Sequence, residues 1–377
     1  MKRLTRALAL SVMLSLFLSL TFNAHAAKKS DQPAYGPAGG FIYRYKNEIQ
    51  ERFNNNGKWQ KKDSRKESSF DPIRVSSFRN INSLSTDTNH SNIVFEYAFR
   101  KGYPKDIENR VRIQSVEAAK KLSRFFEKKI QIKLVGITEK DMDFVENELP
   151  SIVPQDSYGD SLEILKDYGT VYQFYSRGGT GGGSAGYSSA RGYGYYLSHT
   201  SSLATLKTLW PTVAPHEMTH VLQDFYTRDV SNPYGEGGPK SKINGHLIEG
   251  SANTVGMALA YSNLGWYSDE MDRILKMDIR DFVNKYPINN IDDAVKFIKD
   301  IETRDSERTM RFSYSAGQLV WEFYIAKYGF EKYVELLKNV RTAENFDENL
   351  KSTIGKDRDS FYLEAADYVL RTWKRLS

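Results

Sequence analysis

Beyond about residue 243 the chain reads as nearly all helix, whereas strand-like alternation lies before about residue 200. Helices are expected over roughly 246–262, 268–283, 290–301, 313–328, 330–341 and 359–375, with the glycine of "AKYGFEKY" stopping one of them. Upstream, "NIVFEYAF" near 92 and "IQIKLVGIT" (130–138) alternate as strands, and "SVEAAKKLSRFFEK" (115–128) reads as an amphipathic helix capped by Ser115. The run "VYQFYSRGGTGGGSAGYSSARGYGYYLSH" combines a strand-like piece, a Gly-rich loop and a second strand at 193–199. Its glycines lack the phosphate-loop spacing and no Lys follows them. The fold class this implies is α+β with two lobes: a mixed sheet-and-helix lobe over 91–242 and a mostly helical lobe over 243–377.

The first 26 residues read as a secretory signal: Lys2, Arg3 and Arg6, then an apolar stretch from Ala7 to Phe22, then Ala24 and Ala26 around His25. Their removal would lower the formal net charge from +6 to +3. That weak charge, with no basic cluster among aromatics, argues against nucleic acid as a partner. The chain has no cysteine, so an exported fold is stable without disulfides and has no thiolate chemistry. No later stretch is long and apolar enough to span a bilayer, so no stable membrane anchor is expected after signal cleavage. Residues 27–90, rich in Asn, Ser, Lys and Arg with sparse apolar residues, read as a polar extension, either a pro-segment or a disordered tail. "DSYGDS" and "NNIDD" lack the loop pattern of a calcium site and read as solvated turns.

The chemistry concentrates in "APHEMTHVLQDF" (214–225). On a helix, His216 and His220 share one face, where two imidazoles reach one cation and Glu217 reaches a water beside it. Thr212 as N-cap places Pro215 at the third helical position, within the first turn where a missing N–H costs nothing. A catalytic zinc needs a third protein ligand and an open position. After His220 no further His follows at the x-x-G-x-x-H spacing, which leaves a carboxylate on a later helix. Glu249, among Leu247, Ile248, Ala252 and Val255, is either that ligand or a helix-start Glu near solvent.

"HEMTH" followed by "HLIEGSAN" resembles the gluzincin zinc metallopeptidases, the superfamily of thermolysin, the bacterial collagenases and the zinc aminopeptidases, with H-E-x-x-H and then an E-G-x-A helix. "FSYSAGQLVWEFYIAKYGFEKYVELL" resembles the Y-x-x-G helix start of the same group, through Tyr314 and Gly317. The resemblance spans roughly residues 90–377 and implies a zincin-like two-lobed catalytic domain holding one Zn2+ per chain. It implies that His216, His220 and Glu249 hold zinc and that Glu217 moves the proton of a zinc-bound water to the leaving amine. It implies further that Tyr314 steadies the oxyanion, that Asn253 orients a zinc-bound His, and that 193–199 is the edge strand above the active-site helix. His246 stands where relatives often carry Trp and reads as structural or rim-lining. No G-x-M-E-N stretch precedes the motif, which argues against an aminopeptidase, and the modules that follow the collagenase unit are missing.

The expectation is therefore a secreted, extracellular, monomeric zinc endopeptidase. It would act on peptide or protein substrates and bind them as an added strand along 193–199. Two alternatives stand beside it: an exported zinc-containing binding or surface protein on a peptidase-like frame, and a narrow-specificity toxin protease.

Overall fold

The computed structural model describes residues 65–84, 92–153, 180–204, 211–228, 241–282 and 287–377. The signal segment, the polar stretch up to 64, the "VYQFYS" strand and "DSYGDS" lie outside the described residues. The chain divides into two compact units; one holds the described residues from 92 to 222, the other 65–84 and those from 223 onward. Helix and strand combine in one chain, with a four-stranded mixed sheet and mostly helical content elsewhere.

The first unit carries the sheet. Strand β1 (Ile93–Phe99) leads to helix α1 (Lys105–Leu122), then strand β2 (Ile130–Thr138). Short helices α2 (Met142–Asn147) and α3 (Leu149–Ile152) follow, then β3 (Thr180–Ser188) and β4 (Tyr193–Thr200). The strand order is β1-β2-β4-β3, with β1, β2 and β4 parallel and β3 antiparallel to β4. Val135, Ile137, Phe144, Val145, Leu149, Tyr195 and Leu197 form a buried cluster that seats α2 and α3 on the sheet. Helix α1 starts ten residues before the expected site. Pro104 ends the extended lead-in, Asp106 and Glu108 occupy the first turn and Lys120 and Lys121 the last, matching the helix dipole. Ser115 is a buried residue inside it and caps nothing.

A second correction concerns the edge of the sheet. Residues 193–200 form an interior strand paired on both sides, to β2 and to β3. Among the described residues the sheet ends on that side at β3, built from the Gly-rich run that reads as a loop. A tight turn joins them: Gly192 takes φ +73°, open to glycine at no steric cost, and its N–H donates to the Ser188 carbonyl at 2.7 Å.

Helix α4 (Val213–Thr227) carries the H-E-x-x-H residues; it runs without a break across the division between the units, which falls between Leu222 and Gln223. The second unit is helical among its described residues: α5 (Gly245–Ala260), α6 (Leu264–Phe282), α7 (Ile291–Asp300), α8 (Glu307–Ser315), α9 (Gly317–Tyr328), α10 (Phe330–Asn339), α11 (Phe346–Ile354) and α12 (Arg358–Leu376). Helices α5 and α9 are buried on nearly every side, as their apolar sequences require. The expected 313–328 helix is broken at Ala316, and Gly329, at φ +88°, stops α9 where expected. "NNIDD" caps α7, the Asn290 side chain accepting the Asp293 N–H.

Two helices form where none is expected. Asn345 caps α11 and Gly355, left-handed at φ +71°, ends it. Within the stretch read as polar extension, Pro72–Asn82 is a helix, called here the anchor helix, capped by Asp71 with Pro72 in its first turn. Its buried face includes Arg74, whose Nε donates to Glu322 Oε1 at 2.9 Å, with Tyr368 also donating to Glu322. Residues 65–84 thus pack within the body of this unit. No helix among the described residues is long and apolar enough to cross a membrane.

Candidate active site

In the first unit, α4 begins at Val213, so Pro215 takes the third helical position and the Thr212 carbonyl accepts the His216 N–H at 2.9 Å. Helical spacing then brings the two imidazoles together. Their Nε2 atoms lie 2.9 Å apart with the rings edge to face, at 82°. Two nitrogens on one tetrahedral zinc, each bonded at about 2.0–2.1 Å, stand roughly 3.3 Å apart. The pair is therefore within a few tenths of an ångström of a chelating separation, and both rings are half-buried. A hydrogen bond between the two nitrogens places a proton on one of them, whereas two Nε2 atoms that share a metal carry none.

Glu217 is 6 % exposed and lies beneath the edge strand. A Cβ built on Gly183 of β3 would come within 2.9 Å of Glu217 Cγ and 2.5 Å of the Tyr196 ring. Only glycine lets the strand pass this close. Tyr196 stays a neutral phenol, its pKa raised first by burial and then by the Glu217 carboxylate. Neither Gly183 nor Tyr196 carries a local sequence signal for such a role.

In the second unit, Glu249 sits in the second turn of α5 and is 6 % exposed. Gly250, which follows it, meets Gly317 backbone to backbone: a Cβ on Gly250 would stand 2.4 Å from the Gly317 carbonyl carbon. The glycines of the E-G and Y-x-x-G stretches are thus two halves of one close helix contact. Thr254 Oγ1 donates to the Gln318 carbonyl at 2.8 Å and Asn253 Nδ2 to the Tyr314 carbonyl at 3.3 Å, securing the same junction. Tyr314 is the penultimate residue of α8, half-buried, and Gly317 begins α9.

Sequence reasoning missed two neighbours. The Arg304 guanidinium forms an ion pair with the Glu249 carboxylate, Nη1 to Oε1 at 3.0 Å, and lies 5.7 Å from the centre of the Tyr314 ring. A partner for the buried carboxylate is therefore present within the protein, so burial alone does not demand a metal. Gln223, in the last turns of α4, donates to the Ile248 carbonyl and to Ser251 Oγ, each at 2.9 Å.

His246 is structural. It is fully buried, the Trp321 indole N–H donates to its Nδ1 at 3.1 Å, and its Nε2 is 2.8 Å from the Tyr362 hydroxyl. Because Nδ1 accepts, the ring carries its proton on Nε2, which donates to Tyr362, and Tyr362 in turn donates to Glu302. Burial, with help from Arg358, pushes the His246 pKa down to about 3.

The structure thus brings His216, Glu217 and His220 together in one unit and Glu249, Asn253 and Tyr314 together in the other. No protein-family model, curated protein or solved structure matches the chain.

Proposed function

We propose that the chain is a secreted zinc-dependent endopeptidase of the gluzincin type with a zincin-like catalytic frame. The observation that carries the reading is the convergence of the His216 and His220 Nε2 atoms beside Glu217. His216, His220 and Glu249 are a donor set able to hold one metal ion.

Zinc held there would supply Lewis acidity that makes a water acidic near neutral pH. Glu217 takes a proton from the attacking water and returns it to the leaving amine. Tyr314 donates a hydrogen bond to the oxygen of the scissile carbonyl as charge develops on it. Peptide substrate adds as a strand along β3, the outer strand among the described residues, above Glu217, and not along the interior strand β4.

The Arg304–Glu249 pair favours a second reading, an exported binding protein on the same frame, because it satisfies the carboxylate without metal. Cleavage of casein by the purified chain separates the two. The peptidase reading expects activity that is lost with a zinc chelator and reduced at least about a thousandfold in Glu217→Gln. Undiminished cleavage by Glu217→Gln would overturn it, and zinc binding with no turnover on a broad peptide library would favour the binding protein. A digest of mixed proteomes then tells a broad endopeptidase from a toxin protease that cuts few targets.

A further inference from the structure

Arg304 enters the site from outside every motif of the sequence. It lies in the segment between α7 and α8, and its placement is built from several sides. Its aliphatic stem runs over Gly245, where a Cβ would stand 2.7 Å from Arg304 Cγ and 3.1 Å from Cδ. Gly245 is itself tied down, its N–H donating to the Glu302 carbonyl at 2.8 Å. The guanidinium then reaches Glu249 Oε1 with the Tyr314 ring nearby. Arg304 is 30 % exposed along its side chain, against 8 % for Glu249, so the cation closes the solvent side of a buried carboxylate.

We infer that Arg304 is a positioning residue for the proposed metal site: it holds the Glu249 carboxylate by one oxygen, in the orientation that presents the group to the metal. This rests on the zinc reading of His216, His220 and Glu249. The physical reason is ordinary. A carboxylate rotates about its side-chain torsions, and a ligand that must be reoriented on each binding event binds more weakly. An ion pair at one oxygen restricts that freedom. The glycine at 245 gives the arginine stem its track, and the nearby Tyr314 ring couples the same cation to the residue proposed to steady the oxyanion.

The test is zinc affinity, measured by competition with a chromophoric chelator on the purified full chain, with the melting temperature of the metal-free chain recorded alongside. Arg304→Gln is expected to bind zinc ten- to a hundredfold more weakly than wild type. Arg304→Lys, which keeps the charge but not the planar fork, should recover part of that loss. Gly245→Ala moves the arginine stem without altering any charged group and should also weaken binding. It carries the test if Arg304→Gln fails to fold. Glu249→Gln serves as the reference for loss of the ligand itself. Affinity in Arg304→Gln and Gly245→Ala within twofold of wild type, with only the metal-free melting temperature lowered, would make Arg304 a structural partner and overturn the inference. Tighter zinc binding in Arg304→Gln would overturn it too, by showing a competitor. If wild type binds no zinc, or Glu249→Gln binds it as well as wild type, the metal reading fails instead.

Discussion

Two arginine–glutamate pairs in the helical unit use the same groups and come out differently. In the Arg74–Glu322 pair the side chains are 3 % and 0 % exposed, and both carboxylate oxygens are engaged: Oε1 by Arg74 Nε, Oε2 by Arg74 Nη2 at 3.3 Å and by Tyr368. In the Arg304–Glu249 pair the arginine is ten times more exposed and grips one oxygen. The first pair is closed by the protein and fastens the anchor helix. The second stands at the margin of a group of chemically suited side chains. Full enclosure by protein partners marks a structural ion pair, and partial enclosure beside other donors marks a candidate site.

Three changes sharpen or break that contrast. The largest effect is expected from Arg74→Ala, which leaves Glu322 buried without its cation; stability to urea should fall by about 3–5 kcal/mol. A loss below about 1 kcal/mol would show the pair to be dispensable and the anchor helix loosely held. Next comes the enclosed His246. Its pKa in the fold, about 3, lies below the unfolded value of about 6.5, so burial favours the neutral ring. Its contribution is fully present above pH 6.5 and is lost as pH falls toward 3. Between pH 7 and 5 wild type should lose about 2 kcal/mol more than His246→Gln, which cannot titrate. Because Arg358, Glu302 and Tyr362 are common to both chains, the difference isolates the imidazole; parallel slopes would contradict its enclosure. The smallest effect is on catalysis. Gly183→Ala should lower casein cleavage about tenfold, roughly 1.4 kcal/mol, with zinc content unchanged, because a Cβ meets Glu217 and Tyr196. Full activity in that variant would remove β3 from the site.

Where structure follows from local pattern, the sequence discloses it. Ile130–Thr138 alternates and is apolar on both faces, and Pro215 with Thr212 marks the start of α4, so both are legible from residues alone. The anchor helix hides because its burial depends on Arg74, a residue that counts as polar in any hydropathy pattern. Its Asp-Pro start was nevertheless a readable cap. Strand β3 hides for another reason: four glycines and two serines give no strand propensity, and its conformation comes from pairing with β4. A β3 read as loop leaves β4 as the apparent sheet edge. At the candidate site the histidines, Glu217 and Glu249 were visible by spacing, whereas Arg304 reaches Glu249 across 55 residues and carries no local mark.

The central claim is that His216, His220 and Glu249 hold one zinc ion. Elemental analysis of the purified wild-type chain beside His220→Ala tests it most directly. The account predicts about one zinc per chain in wild type and almost none in the variant. No zinc in wild type after equilibration with the metal, or equal zinc in both chains, would contradict it.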